Sequence, residues 1–167
     1  MTLSIADVHG LDVSPIDLVE DLAALKRWEV DRLSDDQIAM VADGVWRSYK
    51  VSLAWCDFDE TLRMVCTFEL EARDESLAEL YKAIECANQD IWIGGFNYWR
   101  EQGLIAYRYG LTLSGRAGAT SEQVDAMLKH AFENCERYFP AFHLVGVDLQ
   151  PTKEAFDAAL LQAAGQA

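Results

Sequence analysis

The stretch from Ser48 to Glu69 constrains this chain more than any other. Apolar and polar residues alternate on both sides of Asp57-Phe58-Asp59-Glu60, the pattern of a hairpin with one buried face. Pairing about that turn sets Trp55 opposite Leu62, Leu53 opposite Met64, Val51 opposite Cys66 and Tyr49 opposite Phe68, all apolar. The other face pairs Ala54 with Arg63, Lys50 with Thr67 and Ser48 with Glu69. A slip of one residue would mix the two sets, so the pattern specifies the register. Upstream, Asp43-Gly44 predicts a two-residue turn between strands over 37–42 and 45–55, because both residues tolerate positive φ. That turn puts Ile38 opposite Tyr49, Arg47 opposite Met40, and Trp46 opposite Val41 on the outward face. A third hairpin, 96–101 with 104–113 about Gln102-Gly103, sets Tyr98 opposite Tyr107, Phe96 opposite Tyr109 and Trp99 opposite Ala106.

Helical periodicity fills the rest. Ser14-Pro15 is a hydroxyl N-cap with Pro at N1, opening a helix over 15–27, and 28–33 reads as a short strand. Leu77, Leu80, Tyr81, Ile84 and Ile91 form one stripe of a helix over 74–93, ended by Gly94-Gly95. Thr120 and Gln123 are spaced as a capping box. The helix they open carries Val124, Met127, Leu128, Ala131, Cys135 and Tyr138, and Pro140 stops or kinks it. Thr152 caps a last helix, 152–165, with Phe156, Leu160 and Ala163 on one face. The order is α-β-β-β-β-α-β-β-α-α. Segregated strands and helices imply an α+β fold with an antiparallel sheet. Residues 1–167 read as a single domain, with 1–13 a flexible N-terminal segment.

Charge narrows the partners. With 28 acidic and 14 basic residues, the net charge of −14 disfavours nucleic acid and anionic membranes. No apolar run approaches the ~20 residues of a membrane span, and a cytoplasmic location is expected. Cys56, Cys66, Cys86 and Cys135 form no CxxC pair, and His9, His130 and His143 are too scattered to complete a metal site. Buried reduced thiols are the expected state, and the Val51–Cys66 register separates Cys66 from Cys56. Asp57, Asp59 and Glu60 could approach a cation, but an EF-hand needs more ligands in a longer loop, so a solvated turn is expected. Neither a phosphate loop nor a nucleophile–base motif occurs. No enzyme activity, cofactor or metal is therefore expected.

Apolar groups on the outward sheet face are the informative exception. Val41, Trp46, Val65 and Trp99 fall there in the three registers, and exposed apolar groups on a polar face mark interaction surfaces. These four are the candidate partner-binding residues.

Two runs carry a family resemblance. Trp92-Ile93-Gly94-Gly95-Phe96-Asn97-Tyr98-Trp99 is similar to the W-x-G-x-F-x-x-W stretch of the YbjN family of bacterial proteins. Cys135-Glu136-Arg137-Tyr138-Phe139-Pro140-Ala141-Phe142 is similar to that family's C-E-R-aromatic-aromatic-P-A-aromatic run. The resemblance extends from the first helix to about Phe142. Gly95 departs from it, standing where many relatives carry His, so no role of that His transfers. The resemblance implies a fold like that of type III secretion chaperones, small, acidic and usually dimeric, and a label of sensory transduction regulator. The combined expectation is a non-enzymatic, cytoplasmic, homodimeric protein-binding module, chaperone- or adaptor-like, in bacterial sensory transduction or stress regulation. Its protein partner is unidentified. The alternative is a small-ligand sensor with a pocket between sheet and helix.

Overall fold

Ser14 opens the first helix as its position demands, its Oγ accepting the Ile16 N–H at 3.3 Å. The computed structural model describes residues 13–115 and 117–164. Except for exposed Val13, the expected N-terminal segment lies outside them, as does His9. Helix α1 runs Pro15–Lys26 and ends where Arg27 turns left-handed at φ 58°. Strands β1 (Val30–Ser34), β2 (Gln37–Asp43), β3 (Ser48–Cys56) and β4 (Thr61–Glu69) follow. Helix α2 (Leu77–Asp90) leads to β5 (Gly95–Trp99) and β6 (Leu104–Thr112), then to α3 (Ser121–Gly146) and α4 (Thr152–Ala164). The strands form one antiparallel sheet in the order β1-β2-β3-β4-β6-β5. This is the expected α+β class and element order.

Helices α1, α2 and α3 form one layer against the sheet. Helix α3 lies over β4 and β6, α1 over β2 and β3, α2 beside β5, and α4 against α3 and α2. Tyr49, Leu53, Leu62, Met64, Cys66, Phe96, Ile105 and Tyr107 point into that layer and are fully buried or within 1% of it. Among the described residues no helix packs on the opposite face, where Lys50, Ser52, Arg63 and Arg108 are exposed.

The β3–β4 register is the one read from alternation, from Lys50 opposite Thr67 to Trp55 opposite Leu62. The other two hairpins differ from their expected registers. Asp43 pairs with Ser48, so Gly44 to Arg47 form a four-residue loop, Ile38 faces Leu53, and Val41 faces Lys50. Trp46 and Arg47 are therefore in the loop and not in the ladder. At the third hairpin Phe96 faces Tyr107, Asn97 faces Ala106, Tyr98 faces Ile105, and Trp99 faces Leu104. Both loops are two residues longer than a tight turn at their glycines. Each shift is an even number of residues, so every strand keeps the face assigned to it.

Four helix details also depart from expectation. Helix α2 ends at Asp90, and Gly94 (φ 77°) belongs to the loop entering β5 rather than to a helix cap. Helix α3 continues through Pro140 to Gly146, taking His143 into its last turn. Pro140 removes one backbone bond, but the buried run Tyr138, Ala141, Phe142 and Val145 holds the helix together on both sides of it. Thr152 does not cap α4 with its hydroxyl; that group donates to the Glu79 carbonyl and carboxylate at 3.0 and 2.9 Å. Helix α4 buries Ala155 and Ala159, leaving Leu160 57% exposed, because small side chains let α4 approach the layer closely.

Candidate functional site

The run from Cys135 to Phe142 forms a hub between the sheet and the helical layer. Cys135 is fully buried, with its sulfur 3.6 Å from that of Cys66 on β4. The Glu136 carboxylate reaches back to the β2–β3 loop. It accepts the Val45 N–H at 2.9 Å, the Trp46 N–H at 3.5 Å and the Tyr49 hydroxyl at 2.5 Å. Gly44 leaves room for this carboxylate, since a Cβ there would stand 2.1 Å from Oε1 of Glu136. Phe139 receives the loop's side chains: Trp46 stacks on it at 6.3 Å, and the Arg47 guanidinium lies 5.5 Å above its ring. Tyr138 packs against Phe96, Phe142 and Phe156. Among the described residues its hydroxyl is the one buried side-chain polar atom without a hydrogen bond.

The run from Trp92 to Trp99 holds β5 in place. The Asn88 side chain accepts the Phe96 N–H at 2.7 Å and donates to the Phe96 carbonyl at 3.0 Å. The Tyr107 hydroxyl donates to the Ile93 carbonyl at 2.5 Å. A Cβ at Gly94 would meet that hydroxyl at 2.6 Å, in a left-handed conformation that already favours glycine. Trp92 makes no comparable packing and is 97% exposed.

The four predicted partner-binding residues do not form one patch. Val41, 60% exposed, and half-buried Val65 lie on the open sheet face, two strands apart. Trp99 is half-buried on β5 at the far edge. Trp46 stacks on Phe139 from within the chain but stays 38% exposed. Arg47 escapes the core through the loop, donating to the Glu69 carbonyl. The acidic turn is occupied by protein donors, as Asp59 pairs with Arg63 at 2.6 Å and Asp57 accepts the Trp55 indole N–H at 2.5 Å.

The surface missed by the sequence is an open groove of about 730 Å³ between α2 and α4. Tyr81, Cys86 and Phe156 line it, with Lys82, Glu85, Lys153 and Asp157 around them. Tyr81 (50%), Leu160 (57%) and Leu161 (75%) are exposed large apolar residues on these two helices. Leu160 follows Phe156 by one helical turn, on the shared face that their spacing predicts. The groove is anchored at Glu79, which pairs with Lys82 and also accepts the Thr152 N–H at 3.2 Å. These bonds, Lys82 first, hold the Glu79 carboxyl down to about 2. No group of three or more His, Cys, Asp or Glu among the described residues is arranged to hold a metal ion. No described helix is long and apolar enough to cross a membrane.

Fold and hub together define a small α+β domain whose signature residues serve its architecture. The chain belongs to the YbjN family, described as "Putative bacterial sensory transduction regulator", whose profile matches residues 15–144. The family is thus named for regulation and not for an enzyme activity. Among solved structures the chain is similar to "YbjN, a putative transcription regulator from E. coli", at 12% identity and a TM-score of 0.53. The match covers 74% of this chain and 87% of that one, a likeness of fold. No curated protein matches the chain.

Proposed function

We propose that this protein is a non-enzymatic, cytoplasmic protein-binding module of a regulatory pathway, adaptor-like and homodimeric. One observation carries the reading: the α2–α4 groove is open and largely apolar, and Tyr81, which lines it, stands exposed, as does Leu160 one helical turn beyond Phe156. Exposed apolar residues gathered at a groove mark an interaction surface. The four charged groups that line it alternate in sign, Lys82 and Glu85 on α2 and Lys153 and Asp157 on α4, around a largely apolar floor, which suits a peptide or helix better than a small polar ligand.

Cys86, exposed in the groove, supplies the test. A Cys56→Ser variant carrying a photoreactive maleimide on Cys86 is irradiated in extract from its native cell, and crosslinked peptides are identified. The expected result is a discrete set of crosslinks, including self-crosslinks, that disappears in a Tyr81→Ser, Leu160→Ser variant. Sedimentation should give twice the 18.8 kDa of one chain. Crosslinks that survive the groove variant but vanish on Val41→Ser, Val65→Ser, Trp99→Ser would move the site to the open sheet face. A monomer with no specific crosslinks overturns the reading.

A further inference from the structure

We propose that Cys66 and Cys135 form an oxidant-responsive latch, in which a peroxide converts the two thiols into a disulfide tying α3 to β4. The two residues are 69 positions apart in sequence, both fully buried, and their sulfurs touch at 3.6 Å. A disulfide needs about 2.05 Å between sulfurs, so closing the bond takes a contraction of roughly 1.5 Å. Shift of one helix against a strand supplies such a movement, whereas distant thiols would require refolding. Cys56, at the far end of the β3–β4 hairpin, and Cys86, exposed on α2, lie outside this pair.

The chemistry balances with peroxide as the oxidant. One thiol gives its proton to solvent, and the thiolate attacks a peroxide oxygen. An S–O bond forms, the O–O bond breaks, and hydroxide leaves to become water. The second thiolate attacks the resulting sulfenic sulfur, forming S–S, breaking S–O and releasing the second water. The sulfurs lose two electrons and hydrogen peroxide gains them. The hydrogen bond with the facing Cys66 thiol, and then burial, push the Cys135 thiol well above its ordinary range, which makes it inert while α3 is seated. Oxidation therefore proceeds through a state in which α3 lifts from β4, and it reports that opening. The next residue is Glu136, so the bond forms beside the clasp that holds the β2–β3 loop.

The test uses the full chain. The native protein is exposed to hydrogen peroxide, alkylated after denaturation and mapped without reductant. The expected product is a peptide pair joined through Cys66 and Cys135, 2 Da lighter than its two thiol peptides and restored by reductant. A Cys56→Ser, Cys86→Ser variant, altered outside the core, should give the same pair. The oxidised protein should unfold at higher urea concentration than the reduced one. Recovery of Cys66 and Cys135 as free thiols, as separate sulfinic acids, or in disulfides with Cys56 or Cys86 would overturn the proposal. So would a joined pair with an unchanged or lower urea midpoint.

Discussion

Tyr49 on β3 and Glu136 on α3 meet at 2.5 Å, and the same carboxylate holds two backbone N–H groups of the β2–β3 loop. One side chain of the helical layer therefore satisfies donors that a tighter hairpin would have paired in the sheet. Hydrogen bonds to a charged acceptor contribute about 1.5–3 kcal/mol each, and here the part-buried Tyr49 hydroxyl carries most of the effect because the two loop N–H groups are exposed to water. Glu136→Ala should destabilise the protein by about 2–4 kcal/mol in urea unfolding. Glu136→Gln should recover part of that loss. A change within about 0.5 kcal/mol for the alanine variant would show that the clasp is not structural.

Gly44→Ala tests the same contact from the other side. Its Cβ would collide with the Glu136 carboxylate and the Tyr49 ring, at 2.1 and 2.6 Å. We expect a loss of about 1–3 kcal/mol, as for overpacking of a filled site. In a double-mutant cycle with Glu136→Ala the two losses should be markedly non-additive. Simple additivity would mean that Gly44 matters for another reason.

Tyr138→Phe should be neutral or stabilising, by up to about 1 kcal/mol, because the hydroxyl it removes is buried without a hydrogen bond. The ring contacts with Phe96, Phe142 and Phe156 are retained. Thermal unfolding of the variant decides it; a clear drop in Tm would reveal a partner for that hydroxyl in solution.

Alkaline pH should weaken the fold through two phenols. Burial raises Tyr49, reinforced by the Glu136 carboxylate, and burial with nearby Cys135 pushes Tyr107 up to about 12. Unfolded phenols ionise near 10. Between those values the folded state binds more protons than the unfolded one, so this stabilisation is complete below pH 10 and falls as pH rises through about 12. Urea midpoints measured across that range should decline, and Tyr107→Phe should flatten the decline.

Acid acts at the other end of the molecule. Glu79 is held down to about 2 by Lys82 and Thr152, so its contribution is present above the ordinary carboxyl value of 4.5 and lost as pH falls toward 2. Helix α4 should loosen over that window. Hydrogen exchange along α4 should rise there before it rises along α3, and Thr152→Val should bring the loosening to higher pH. Uniform exchange in all helices would assign the acid transition to global unfolding instead.

Much of this architecture is legible in the residues alone. Strict alternation on both sides of Asp57 to Glu60 determined the β3–β4 register, because burying one face penalises any odd slip. The helical stripe of α3, its capping box and the element order follow from spacing in the same way. The two other hairpins kept their faces but not their registers, since alternation is blind to shifts of two or four residues. What selected the four-residue loop at Gly44 was Glu136, 91 positions from Val45, offering its carboxylate to the loop's N–H groups. The same holds for the sites. Trp46 reads as a sheet-face residue until Phe139 is brought beneath it, and spacing puts Leu160 on one face with Phe156 without saying that Ala155 and Ala159, not Leu160, seat α4. Local pattern specifies which face of an element is apolar. Which neighbour covers that face depends on contacts between distant segments, and those exist only once the chain has folded.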